Sequence, residues 1–239
     1  MTPPSDRTIV ALDTTDLDRA LALARTLRGL VGAIKLGKEF FTANGPGGVR
    51  RLADVGLPVF LDLKYHDIPS TVGGAVRAAL PLAPFMLTIH AAGGTAMMRA
   101  AAEAAAEAGE RRPMVLAVTV LTSLVTADLA TVGVFGTVRD QAVRLALLAR
   151  DCGLDGAVCS AEEVVALRGA CGADFTLVVP GIRPGWAAAG DQKRIVTPAD
   201  AVALGADFLV IGRPIIAAPD PAAAARRIGD EIGALADAG

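Results

Sequence analysis

The 239-residue sequence predicts an α/β protein, a (β/α)8 TIM barrel in a single domain covering residues 1–239. Three observations predict it. Eight short apolar runs recur along the chain with helical segments between them, and most are apolar on both faces, as parallel strands covered by helices must be. Eight strand–helix units fill about 250 residues in this architecture, close to the length here. Nearly every run ends in a polar group, and barrels of this kind carry their function at the C-terminal ends of the strands. A doubly wound open sheet is the rival. It expects a glycine-rich turn after the first strand, whereas that turn reads Asp13-Thr14-Thr15-Asp16.

The expected strands are residues 8–13, 33–37, 59–64, 85–91, 114–122, 156–160, 176–182 and 208–212. Between the first two, residues 17–27 place Leu17 and Leu21, then Leu23 and Leu27, at i, i+4 spacing, after a plausible cap at Thr15-Asp16. Residues 95–108 are alanine-rich, and residues 138–149 repeat apolar positions at helical spacing before Asp151-Cys152-Gly153. Pro198 after Thr197 reads as a helix start with proline in the first turn. Residues 221–235 form the last expected helix. The longest uncharged stretch, residues 78–98, is long enough to span a bilayer. It contains Pro81, Pro84, His90 and Gly93-Gly94, so it reads instead as a helix end, a buried strand and a loop.

Composition narrows the function. The chain is 53% hydrophobic with one Trp and one Tyr, so its core volume comes from many small aliphatic side chains. A formal net charge of −2 provides no electrostatic footprint for nucleic acid. The N-terminus lacks a basic region followed by an apolar run and is not expected to be a signal peptide. Cys152, Cys159 and Cys171 form no CxxC pair and are odd in number, which suits small buried hydrophobes in a reducing cytoplasm. With only His66 and His90 available, a multi-histidine metal site is excluded.

The expected strand ends, taken in order, present Asp13, Lys35, Asp62 with Lys64, His90, Thr122-Ser123, Ser160, Gly181-Ile182-Arg183 and Gly212-Arg213. Asp62 and Lys64 are two apart, so on a strand they share a face with Phe60. Buried opposite charges at such a position point either to a structural ion pair or to chemistry. Four charged groups at the ends of three neighbouring strands favour chemistry. The loops after strands seven and eight often build a phosphate site. There Gly212 lets an anion approach backbone N–H groups, and Arg183 and Arg213 offer guanidinium forks. Residues 184–194 form a long loop that reads as a lid over a ligand or as a plain surface excursion.

The run from Asp62 through Lys64, Asp67, Ile68 and Pro69 to Thr71 carries a resemblance. Together with Pro180-Gly181-Ile182-Arg183-Pro184, Gly190-Asp191-Gln192-Lys193-Arg194, Thr197-Pro198 and Ile211-Gly212-Arg213-Pro214, it resembles the compact bacterial orotidine 5′-phosphate decarboxylases over nearly the full length. The resemblance implies cofactor-free and metal-free decarboxylation of orotidine 5′-phosphate to uridine 5′-phosphate, the last step of de novo pyrimidine synthesis, in a cytoplasmic homodimer. It implies an alternating array of Lys35, Asp62, Lys64 and Asp67, the last contributed across the interface, with Lys64 protonating C6 of the pyrimidine. Asp13 and Lys35 would bind the ribose hydroxyls, joined by Asp67 and Thr71 from the other subunit. Thr122 and Ser123 would lie by the pyrimidine, Gln192 would link the lid to the ligand, and Arg183, Gly212 and Arg213 would hold the 5′-phosphate. Metal-dependent sugar-phosphate relatives, such as hexulose-phosphate synthases, share the Asp-x-Lys-x-x-Asp pattern. They resemble this chain less at the end of strand two, where they use a glutamate and this chain has Lys35. A catalytically silent nucleotide-binding barrel is the remaining alternative, and it need not keep the charge array.

Overall fold

The strands close on themselves in chain order. In the computed structural model, which describes residues 3–187 and 196–236, they are β1 (Thr8–Ala11), β2 (Ala33–Gly37), β3 (Val59–Tyr65), β4 (Met86–His90), β5 (Met114–Val118), β6 (Gly156–Val158), β7 (Thr176–Pro180) and β8 (Phe208–Ile211). Each pairs in parallel with the next, and β8 returns to β1. All eight expected strands form. Most stop short of the expected end, because the backbone leaves the ladder at the C-terminal mouth to build the loops there. The longest shortfall is in β5, which ends at Val118 rather than at residue 122.

The helices wrap the outside as α1 (Leu17–Leu27), α2 (Lys38–Ala53), α3 (Pro69–Ala79), α4 (Gly94–Ala106), α5 (Thr126–Thr131), α6 (Val138–Asp151), α7 (Val164–Cys171), α8 (Pro198–Ala203), α9 (Arg213–Ile216) and α10 (Pro221–Ala236). Local chemistry starts several of them. The Asp16 carboxylate accepts the Arg19 N–H at 3.0 Å at the head of α1. Thr137 does the same for Asp140 at α6, and Thr197 for Asp200 at α8, each at 3.1 Å. The uncharged stretch 78–98 becomes the end of α3, strand β4 and the start of α4. No helix among the described residues is long and apolar enough to cross a membrane.

Because side chains alternate along a strand, the apolar residues divide into two layers. Ile9, Ala11, Ala33, Phe60, Met86, Leu116, Val178 and Val210 fill the barrel interior. Val10, Ile34, Leu36, Leu61, Leu87, Ile89, Val115 and Ala117 face outward into the helix layer. One further step of two residues from Ala33, Phe60 and Met86 reaches Lys35, Asp62 and Thr88. The packed interior therefore gives way to polar groups at the C-terminal mouth. At the opposite end two aspartates tie adjacent strands together. Asp155 accepts the Val115 N–H and the Arg112 guanidinium, both at 2.7 Å. Asp207 accepts the Leu177 N–H at 2.7 Å and Arg168 at 2.6 Å. The three cysteines are buried and unpaired.

Candidate active site

A cavity of about 320 Å³ opens at the C-terminal mouth. Its floor is the top of the interior layer, including Ala11, Phe60, Val158 and Val210. Its polar lining comes from the C-terminal ends of β1–β3 and from the segments after β5, β7 and β8. Asp13, Lys35, Asp62, Lys64, Thr122, Arg183, Gly212 and Arg213 all line it.

Asp62 is the centre of the charged wall. The Lys64 ammonium lies 2.7 Å from each of its carboxylate oxygens. Lys35 Nζ approaches Oδ2 at 3.5 Å and also Asp13 Oδ1 at 3.4 Å. The Thr88 hydroxyl donates to Oδ1 at 2.9 Å. Burial alone would raise the Asp62 carboxyl, but Lys35 and Lys64, with hydrogen bonds from Lys64 and Thr88, outweigh it and hold the group below its ordinary value. Asp62 is thus an anion held between two cations.

The meeting of Asp62 and Lys64 does not come from regular strand alternation. The β3–β4 register advances from Leu61↔Leu87 to Tyr65↔Ile89, so four residues of β3 span two of β4. Lys64 sits in that bulge at φ 51°, a left-handed conformation that a residue with a long side chain rarely adopts. Its amide N–H is satisfied by Thr88 Oγ1 at 2.9 Å. Beyond the bulge, His66 and His90 face one another with ring centroids 5.3 Å apart. Burial first, then the nearby His66 and lysine charges, pushes His90 down to about 4.

Of the expected phosphate-site residues, Arg183, which is buried, Gly212 and Arg213 all line the cavity. Gly212 precedes the four-residue α9. A Cβ there would stand 3.7 Å from Asp13 Oδ2 and 3.5 Å from the Ala11 Cβ, so any side chain would fill space at the cavity wall.

Other expected positions fall elsewhere. Ser123 is exposed beside the cavity and does not line it. Asp67 and Thr71 are exposed at the start of α3, outside the cavity wall, and the Asp67 carboxylate accepts the Ile68 N–H at 2.6 Å. Gln192 and most of the proposed lid lie outside the described residues. Ser160 has a structural part, since its N–H donates to the buried Glu163 at 2.9 Å at the head of a helical turn. Thr88 was missed. The available signal was a single hydroxyl two residues before His90 inside the apolar run Met86-Leu87-Thr88-Ile89.

Comparison with known proteins adds an independent line. The model of the orotidine 5′-phosphate decarboxylase / HUMPS family matches residues 6–228. An orotidine 5′-phosphate decarboxylase of Paramagnetospirillum magneticum is 57% identical over 228 residues, covering 94% of this chain and 97% of the relative. One from Rhodospirillum rubrum is 58% identical, covering 93% and 92%. The crystal structure of orotidine 5′-phosphate decarboxylase from Lactobacillus acidophilus superposes with a TM-score of 0.84 at 35% identity, covering 94% of this chain and 98% of that one.

Proposed function

The chain belongs to the orotidine 5′-phosphate decarboxylase / HUMPS family, and from that premise we propose that it decarboxylates orotidine 5′-phosphate to uridine 5′-phosphate, completing pyrimidine nucleotide synthesis in the cytoplasm as a carboxy-lyase without a cofactor. The observation that carries this reading is the Lys64 ammonium, fixed at 2.7 Å on the Asp62 carboxylate at the wall of a cavity that Arg183 and Arg213 also line.

The chemistry needs such a group. When the C6–carboxylate bond breaks, its electron pair stays in an sp² orbital of C6 that the ring cannot easily delocalise. The barrier is electrostatic, and a fixed cation beside C6 lowers it without reorganising. Two N–H groups of Lys64 are engaged by Asp62, and the third has no partner among the described residues. In this reading the proton of that N–H passes to the electron pair left on C6 as CO₂ leaves, the amine keeps the N–H bonding pair, and solvent later restores the proton. Asp62 holds the ammonium in place. Lys35 and Asp13 take the ribose hydroxyls, Thr122 and Ser123 lie by the pyrimidine, and Arg183, Gly212 and Arg213 take the 5′-phosphate. Gln192 takes part in holding the ligand. Phosphate binding far from C6 supports the chemistry at the ring by fixing the substrate's position.

In the same reading the active unit is a homodimer, with Asp67 of the partner subunit completing the Lys/Asp array and Thr71 of the partner subunit reaching the ribose. The exposure of this chain's own Asp67 and Thr71, next to an Ile68 that is 63% exposed, supports it. The test is to add orotidine 5′-phosphate to chelator-treated protein and follow the pyrimidine absorbance. Rapid conversion to uridine 5′-phosphate is expected. Neither turnover nor binding of uridine 5′-phosphate would move the chain to the metal-dependent sugar-phosphate relatives. Binding of uridine 5′-phosphate without turnover would make it a silent binder.

A further inference from the structure

Resting on the proposed reaction, we infer that Thr88 is a positioning residue, whose single hydroxyl holds both the Asp62 carboxylate and the bent backbone of Lys64 and so sets where the Lys64 ammonium stands. Thr88 is fully buried in β4 and does not line the cavity, so it acts only through its neighbours.

The hydroxyl is used in both directions. It donates its proton to Asp62 Oδ1 at 2.9 Å and accepts the Lys64 N–H at 2.9 Å. The second bond replaces a ladder bond lost where Asp62, Leu63 and Lys64 of β3 face the single Thr88 of β4. A lysine at φ 51° is strained, and such a conformation persists only where its surroundings over-determine it. Among the described residues, Thr88 Oγ1 is the side-chain acceptor that satisfies that amide. The first bond also sets the rotation of the carboxylate. Lys64 Nζ contacts both oxygens of Asp62, while Lys35 Nζ pulls on Oδ2 from 3.5 Å. The donor on Oδ1 opposes a turn of the carboxylate towards Lys35. A hydroxyl two residues from the end of β4 thereby couples the bulge, the carboxylate and the ammonium.

The test pairs Thr88→Val, which keeps the shape and removes the hydroxyl, with Thr88→Ser, which keeps the hydroxyl. Thr88→Val is expected to lower kcat by about 10²-fold with KM for orotidine 5′-phosphate changed less than about threefold, the signature of a misplaced reacting group. Thr88→Ser is expected to recover kcat to within about threefold of the unsubstituted protein. A wild-type kcat in Thr88→Val, or equal losses in Val and Ser, overturns the inference. If Thr88→Val does not fold, Thr88→Ala makes the same comparison with Ser. Absence of turnover in the unsubstituted protein would remove the proposed reaction, not the role of Thr88. The crystal structure of the Val or Ala variant then decides. Displacement of Lys64 from its left-handed conformation, with a longer Nζ–Asp62 contact, is expected, and an unchanged bulge and contact overturns the role.

Discussion

Lys64 Nζ sits 2.7 Å from both carboxylate oxygens of Asp62, although the two residues are only two apart on one strand. Two such side chains normally stand side by side on the sheet face. Here the left-handed backbone at Lys64 turns the lysine so that its ammonium lies across the carboxylate rather than beside it. The pair is well hydrogen-bonded and largely buried, so removing Asp62 takes away the counter-ion of the Lys64 ammonium, whereas removing Lys64 leaves Asp62 with Lys35 alone.

Lys64→Ala is expected to reduce decarboxylation by at least about 10⁴-fold, the upper range for losing a positioned proton donor, while uridine 5′-phosphate still binds. Steady-state turnover and calorimetric titration with that nucleotide check both halves. Turnover within tenfold of wild type would remove Lys64 from the role of donor.

Arg213 lines the cavity with Gly212 and Arg183, at the head of α9 after β8. In the proposed reaction it contributes to binding rather than to the reacting carbon. A charge-assisted hydrogen bond is worth about 1.5–3 kcal/mol, so Arg213→Ala is expected to raise KM by about 10–10²-fold with a smaller change in kcat. An unchanged KM for orotidine 5′-phosphate would place the phosphate elsewhere.

Periodicity carried the barrel, because strands buried on both faces read as unbroken apolar runs whatever their neighbours. It carried Asp13, Lys35, Asp62 and Lys64 as a group, since a polar residue that ends such a run lies at the mouth. The bulge was not legible. Nothing in Leu61-Asp62-Leu63-Lys64 marks a left-handed lysine, and its stabiliser Thr88 comes from another strand, 24 residues away. The strand ends were also overdrawn, because Thr119-Val120-Leu121-Thr122 after β5 consists of residue types common in strands yet turns into the rim. Composition alone could not separate Ser160, which starts a helical turn, from residues that line the cavity.

Asp207 lies at the other end of the barrel, where its carboxylate joins the Leu177 N–H of β7 to Arg168. Arg168 also donates to the carbonyls of Gly172, Ala173, Phe175 and Gly205. Asp207→Ala strands the Leu177 N–H and loosens this arginine. The expected loss is about 1–3 kcal/mol of unfolding free energy, the usual cost of one unsatisfied buried group, with kcat unchanged. Urea unfolding beside a turnover assay measures the two independently. A matching fall in kcat would mean that the N-terminal face communicates with the mouth.

His90 supplies a pH dependence of stability with a definite sign. Burial and the nearby charges of His66, Lys38 and Lys64 lower it from its ordinary 6.5 to about 4, with Asp62 as the opposing influence. Between those values the unfolded chain binds a proton that the folded chain refuses. The unfolded state therefore gains, and stability falls as pH drops through the window. Above 6.5 both states are neutral and the effect vanishes, while below about 4 both are protonated and the loss is complete. Asp62 does not confuse the window, because its lowered carboxyl stays ionised until the pH is below its ordinary 3.8. His90→Gln removes the titrating ring. Urea midpoints measured at about pH 7 and about pH 5 should fall less in this variant than in the unsubstituted protein. Equal falls would mean that His90 takes its proton in the folded barrel as readily as in the unfolded chain.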